Sequence, residues 1–148
     1  MTTPSREAPS RVVPLQPRTI GLVVFGGMIG AAGREGLSLA MPAQGGIPWS
    51  VFIVNVVGAA LLGCLLTVLV SRKRQTQTHR DIRLFAGTGV LGGFTTYSSL
   101  ATDTAVLLDS RPGTAITYAV ASVLFGIIAA GVGIRFGTIL SRTRGGHA

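Results

Sequence analysis

Residues 84–100, LFAGTGVLGGFTTYSSL, are apolar enough to lie in a membrane yet crowded with glycines and hydroxyls. Gly87, Gly89, Gly92 and Gly93 put four glycines in seven positions, and Thr95, Thr96, Tyr97, Ser98 and Ser99 follow. A helix built only to cross lipid would be made of Leu, Ile and Val. Each glycine lowers helix propensity by about 1 kcal/mol relative to alanine. Backbone groups freed at membrane depth are tolerated only where protein or a water-filled cavity covers them. The stretch therefore predicts a broken transmembrane helix, with carbonyls exposed at the break and a ladder of hydroxyls after it. That combination reads as an ion site.

The flanking sequence supplies the frame. A membrane span needs about 20 mostly apolar residues to cross a core of roughly 30 Å, and four segments qualify: about 19–40, 49–70, 84–108 and 112–134. The fold class expected is an all-α membrane protein of four transmembrane helices with a broken third helix. Loops are short: 41–48 is Pro/Gly-rich, 71–83 is basic and 109–113 is a tight turn. Residues 1–18, Pro-rich and polar, read as a disordered cytoplasmic tail, and 142–148 as a basic C-terminal tail around the channel domain 19–141. Gly26 with Gly30, Gly89 with Gly93 and Gly133 with Gly137 stand at the GxxxG spacing that lets helix backbones approach closely.

Charge decides between partners. Of 148 residues, 47% are hydrophobic and only 12% charged, at a formal net charge of +8. The basic residues avoid the apolar stretches, which fits membrane flanks and argues against a nucleic-acid partner. Ten Arg and Lys fall on the side shared by the two tails and the second loop, against Arg34 and Arg111 on the other. This positive-inside bias predicts a multi-pass protein of the inner cell membrane with both termini cytoplasmic. Cys64 is the only cysteine, so an intrachain disulfide is excluded, and its mid-span place suggests packing.

Several motifs look chemical and are not. GTGVLG at 87–92 satisfies GxGxxG, but it lacks the preceding strand of a dinucleotide fold. The same glycines resemble a P-loop opening, with Gly93 where the lysine should stand. His79 and His147 lie in polar segments, so no metal cluster or nucleophile–base pair is legible and no enzyme is expected. The polar residues inside the spans carry the interest instead. Asn55 can offer its NH2 to an anion or make an interhelical bond. Tyr118 and Ser122 share one helix face, as packing contacts or as part of a polar track. Arg34 is an intramembrane cation that draws anions, or else it pairs with Glu35 or snorkels to the interface. Residues i and i+1 do not face each other on a helix, which weakens the Glu35 pairing.

GGMIGAAGRE in the first span, VNVVGAALLG in the second and GVLGGFTTYSSL in the third resemble the small fluoride channels of the Fluc/CrcB family, over residues 26–137. The resemblance implies an antiparallel, dual-topology dimer of four-span subunits that passes fluoride out of the cell passively through two pores. It implies a structural sodium ion at the dimer centre, held by backbone carbonyls at positions matching Gly92 and Thr95. It further implies Asn55 as a pore donor, Ser98, Ser99, Tyr118 and Ser122 as polar-track residues, and Arg34 at the vestibule. The chemistry suits this assignment. A strongly hydrated small anion needs replacement hydrogen bonds, which hydroxyls and an amide supply without trapping charge, while carbonyls suit a hard cation.

Two departures matter. The family's TTFSTF reads TTYSSL here, so Tyr97 keeps a ring edge and Leu100 loses one in the pore wall. An antiparallel homodimer also needs a subunit that inserts both ways, which the charge bias opposes. Both point from a homodimer toward a heterodimer with an oppositely oriented paralogue. Two other readings compete. A small multidrug-type proton-coupled exporter would need a carboxylate inside the membrane, yet Glu35 and Asp103 stand toward span ends. A non-conducting partner subunit would keep ion flux unchanged on Asn55→Ala or Ser98→Ala.

Overall fold

The computed structural model of the chain describes residues 16–71 and 76–145. Among the described residues three helices are long and apolar enough to cross a membrane unbroken: α1 (Pro17–Ala40), α2 (Trp49–Val70) and α6 (Pro112–Gly145). The remaining crossing is composite. A short helix α3 (Gln77–Ile82) leads into a π-helical segment, Arg83–Leu91, then one turn, α4 (Gly92–Phe94), and finally α5 (Tyr97–Ser110). The protein is an all-α membrane protein. Its surface explains why: Phe25, Met28, Leu39, Val70, Ile127 and Ile128 are all exposed, an arrangement that water penalises and hydrocarbon accepts.

With apolar side chains facing outward, little is left for a core, and Val54 is the one large side chain fully buried among the described residues. Small residues hold the helices together instead, because in lipid close backbone contact and interhelical bonds must replace hydrophobic exclusion. All three GxxxG pairs lie at such contacts. Gly26 and Gly30 receive the backbone of the composite crossing, and Gly89 and Gly93 lie against Gly26 and Gly27 in return. Gly133 packs on Ala60, and a β-carbon on Gly137 would stand 2.8 Å from the Cys64 carbonyl oxygen. α1 therefore seats the first half of the broken crossing, while α2 pairs with α6.

The ends alternate as four crossings require. Gly45 and Gly46 take φ of +62° and +81° to turn α1 into α2, and Arg111 Nη1 donates to the Gly45 carbonyl at 2.8 Å. That bond ties the α1–α2 turn to the α5–α6 turn at one end. At the other end Arg18 forms an ion pair with Asp81 of α3.

Two expectations need correction, and the structure extends a third. The basic stretch 71–83 is not all loop: Thr76 and His79 form a reciprocal cap that starts α3, since the Thr side chain accepts an otherwise orphaned N–H. The helix that carries the expected fourth span, about 112–134, continues to Gly145, so part of the basic tail is helical; residues 146–148 lie outside the described residues. The disordered tail expected over 1–18 is helical from Pro17, and residues 1–15 lie outside the described residues.

Candidate functional site

The helix does break in the third crossing, but past the glycines. Residues 87–93 stay helical, within the π-segment and the α-turn after it. Thr95 (ψ 150°) and Thr96 (φ −148°, ψ 117°) then turn to extended backbone. Glycine weakens a helix without dictating where it yields. Here α1 packs on Gly89 and Gly93 and keeps them helical, and the yielding point moves to the first residues after them that α2 can capture.

Capture is done by Asn55. Its Nδ2 donates to the Thr96 carbonyl at 3.0 Å, and its Oδ1 accepts the Thr96 N–H at 2.8 Å. One turn further along α2, Gly58 leaves room for Thr95, whose methyl group a β-carbon there would strike. The Thr95 hydroxyl donates back to the Leu91 carbonyl at 2.8 Å, sealing the end of the first half. The Thr96 hydroxyl caps the second half, accepting the Ser99 N–H at 3.1 Å and lying 3.1 Å from the Ser98 and Ser99 hydroxyls. A capping Thr of this kind contributes about 1 kcal/mol.

These bonds have a consequence for the carbonyls. In an unbroken α-helix the Thr96 N–H would bond Gly92 O and the Ser99 N–H would bond Thr95 O. Both donors are diverted, the first to Asn55 and the second to the Thr96 hydroxyl. Gly92 and Thr95 are the two positions the family resemblance nominated for sodium, and their carbonyls lose the donors that a regular helix would supply. Gly92 is exposed on the surface of the chain. These are neutral oxygens at the end of a helix, among several carbonyls orphaned there, and neutral oxygens are the donor type that a hard cation takes. Among the described residues there is no cluster of His, Cys, Asp or Glu to hold a metal in any other way.

The other nominated residues divide. Asn55, Thr95, Ser98 and Ser99 meet at the break. Tyr97 points away from the chain, 80% exposed. Leu100 is withdrawn, 8% exposed, into a core cluster with Val51, Leu107, Ala115 and Tyr118. Tyr118 donates to the Pro48 carbonyl at 3.3 Å, and Ser122 donates to the Tyr118 carbonyl at 2.7 Å. Their hydroxyl protons are thus held by carbonyls of this chain, and an anion would have to draw them off. Beside Tyr118 lies a pocket of about 790 Å³, lined mostly by apolar groups including Trp49, Phe52 and Phe125, whose rings meet edge to face.

Arg34 follows Gly33, where a β-carbon would stand 3.7 Å from the Phe94 ring. Its Nε is buried with no partner among the described residues, and Nη1 reaches Glu35 only at 4.0 Å. The pairing that helix geometry weakens is present at the limit of an ion pair, and it leaves the guanidinium's inner edge uncommitted. Sequence reasoning missed two residues. Thr96 is the pivot of the break; its signal was the hydroxyl three positions before Ser99, a capping spacing. Asp103 has a buried Oδ2 without a partner among the described residues, and nothing in its spacing announced that.

Known proteins resemble this chain over most of its length. The family described as "CrcB-like protein, Camphor Resistance (CrcB)" matches residues 21–134. The chain is 45% identical over 134 residues to "Fluoride-specific ion channel FluC 2" of Leifsonia xyli subsp. xyli, covering 90% of this chain and 92% of that one. A protein of the same description in Nocardia farcinica is 39% identical over 142 residues, 95% of this chain and 97% of that one. "Fluoride-specific ion channel FluC 1" of Streptomyces coelicolor is 41% identical over 116 residues, 77% of this chain and 73% of that one.

Proposed function

Since the chain belongs to the CrcB family, a class of fluoride channels and not of enzymes, we propose that it is a fluoride-selective channel subunit of the inner cell membrane. It lets cytoplasmic fluoride leave passively, with its termini on the cytoplasmic side. The observation that carries this most directly is the double diversion at the break. Two N–H groups are taken from the Gly92 and Thr95 carbonyls while the hydroxyls of Ser98 and Ser99 gather on the following turn.

Sodium, when bound, supplies a fixed positive charge beside an anion path. The Gly92 and Thr95 carbonyls would hold it. A hard cation takes several oxygens, so two from one chain call for a second chain to complete the site. On the anion side, Asn55 keeps one N–H after bonding Thr96, and Ser98, Ser99, Tyr118 and Ser122 add hydroxyls. Neutral donors of this kind can replace water around fluoride without binding it permanently. Arg34, with its inner edge uncommitted, raises the local anion concentration at the vestibule.

The second chain is an oppositely oriented paralogue in this proposal. The loop charges favour one orientation, and Leu100 serves its own core, so a homodimer would lack an aromatic edge in each pore. Relatives carrying the numbered names FluC 1 and FluC 2 accord with hosts that hold more than one such chain. Fluoride-electrode efflux from proteoliposomes tests this directly, with the chain alone and with its co-expressed paralogue. Sodium-dependent efflux only from the pair supports the proposal. Full-rate efflux from the chain alone removes the heterodimer, and no fluoride flux from either removes the channel.

A further inference from the structure

We infer that Asn55 is the positioning residue that creates the cation site, and not only a donor to the anion path. The inference rests on the proposed sodium reading of Gly92 and Thr95.

Three observations lead to it. The break does not fall where helix propensity is weakest, at the four glycines, but two residues later, where the side chain of Asn55 meets both backbone groups of Thr96. A side-chain amide offers one acceptor and two donors. Asn55 spends the acceptor and one donor on a single peptide residue, replacing the helical bond of the Thr96 N–H and adding a second donor to the Thr96 carbonyl, which as the N-cap also accepts the first bond of α5. The neighbouring face of α2 is shaped to the same end, since Gly58, three residues on and so on the same side of the helix, accepts the Thr95 methyl group.

Remove the amide, and the half-buried Thr96 N–H loses its partner. An unpaired buried donor is costly, and the nearest remedy is the Gly92 carbonyl, its regular helical partner. Closing that bond consumes one of the two oxygens that the sodium reading assigns to the cation. Asn55 thus holds the cation oxygens open through Thr96 while its second N–H stays available for an anion. One side chain couples the two ion sites, and it touches the cation itself nowhere.

The experiment uses the full chain, with its paralogue where the two copurify, in detergent micelles. Thermal unfolding is followed while sodium chloride replaces N-methylglucamine chloride at constant ionic strength. The wild type is expected to gain thermal stability with a defined sodium midpoint. Asn55→Ala is expected to raise that midpoint at least about tenfold, the factor that corresponds to about 1.4 kcal/mol. Asn55→Ser keeps a polar group but is too short to reach both Thr96 groups, and it serves as the second variant should alanine not fold; the same shift is expected. A residue with only a packing role would lower the melting temperature equally at all sodium concentrations. An unchanged midpoint in the folded variant, even with lost fluoride flux, overturns the inference and leaves the sodium reading standing. A wild type indifferent to sodium overturns both.

Discussion

Gly30→Ala puts the packing of the broken crossing to a quantitative test. Gly30 lies on α1 against the turn just ahead of the break. A β-carbon there would overlap the Val90 carbonyl oxygen and stand 2.7 Å from the Phe94 amide nitrogen. Both neighbours are backbone, so neither can rotate aside as a side chain would. Overpacking of this kind costs about 1–3 kcal/mol, whereas alanine in place of glycine returns about 1 kcal/mol of helix propensity. Gly126, in the middle of α6, has nothing within 4 Å of its β-carbon position and supplies the control. Because the propensity term is common to both substitutions, it cancels in their difference. Gly30→Ala is therefore expected to be less stable than Gly126→Ala by about 1–3 kcal/mol. Unfolding by SDS titration in mixed micelles, read by helical circular dichroism and by the single Trp49, measures that difference. Displacing Phe94 also disturbs Thr95 and Thr96, so fluoride efflux should fall in the same variant. Equal stability of the two alanine variants would refute the close-contact account of α1 and the composite crossing.

Other outcomes follow from the same contacts. Replacing sodium by N-methylglucamine on both sides of proteoliposomes should slow fluoride efflux and lower the melting temperature, since a ligand bound only to the folded state stabilises it by mass action. Thr96→Val removes the cap of α5 and should cost about 1 kcal/mol, with loss of efflux larger than that stability change would produce by itself. Tyr97→Phe, at an outward-facing position, should leave the unfolding midpoint within about 0.5 kcal/mol of wild type, and any change in efflux then reports on the pore wall. Leu100→Phe, made to restore the family aromatic, should instead destabilise the chain by about 1–3 kcal/mol, because Leu100 is packed against Val51 and Tyr118; a gain of homodimer efflux at unchanged stability would show the side chain free to turn outward.

Much of the architecture is legible along the chain, for a simple reason. Hydrocarbon thickness sets a required run of apolar residues, so 49–70 can be bounded by counting, and the structure places α2 at Trp49–Val70. The 71–83 stretch is legible only in part, because a six-residue helix starting at a Thr–His cap has no apolar period to reveal it. The extension of α6 to Gly145 is similarly hidden, since apolarity ends where the membrane does while helical hydrogen bonding continues. Among the site residues, chemistry could be read from type alone, as with Asn55 and the hydroxyl ladder. Orientation could not. Tyr97 and Leu100 are three residues apart, yet one faces outward and the other joins the core.

The sequence by itself determined that the chain is built of membrane-crossing helices and which of them cannot remain a regular helix, because hydropathy and backbone propensity are properties of consecutive residues. Only the tertiary structure decided where that helix parts. The glycines are the weakest point locally, but α1 clamps them, and Asn55, 41 residues away from Thr96, supplies the hydrogen bonds that make the threonine pair the cheaper place to open. A break inside a membrane forms where other parts of the fold can satisfy the freed backbone groups, and that depends on which distant side chains reach them.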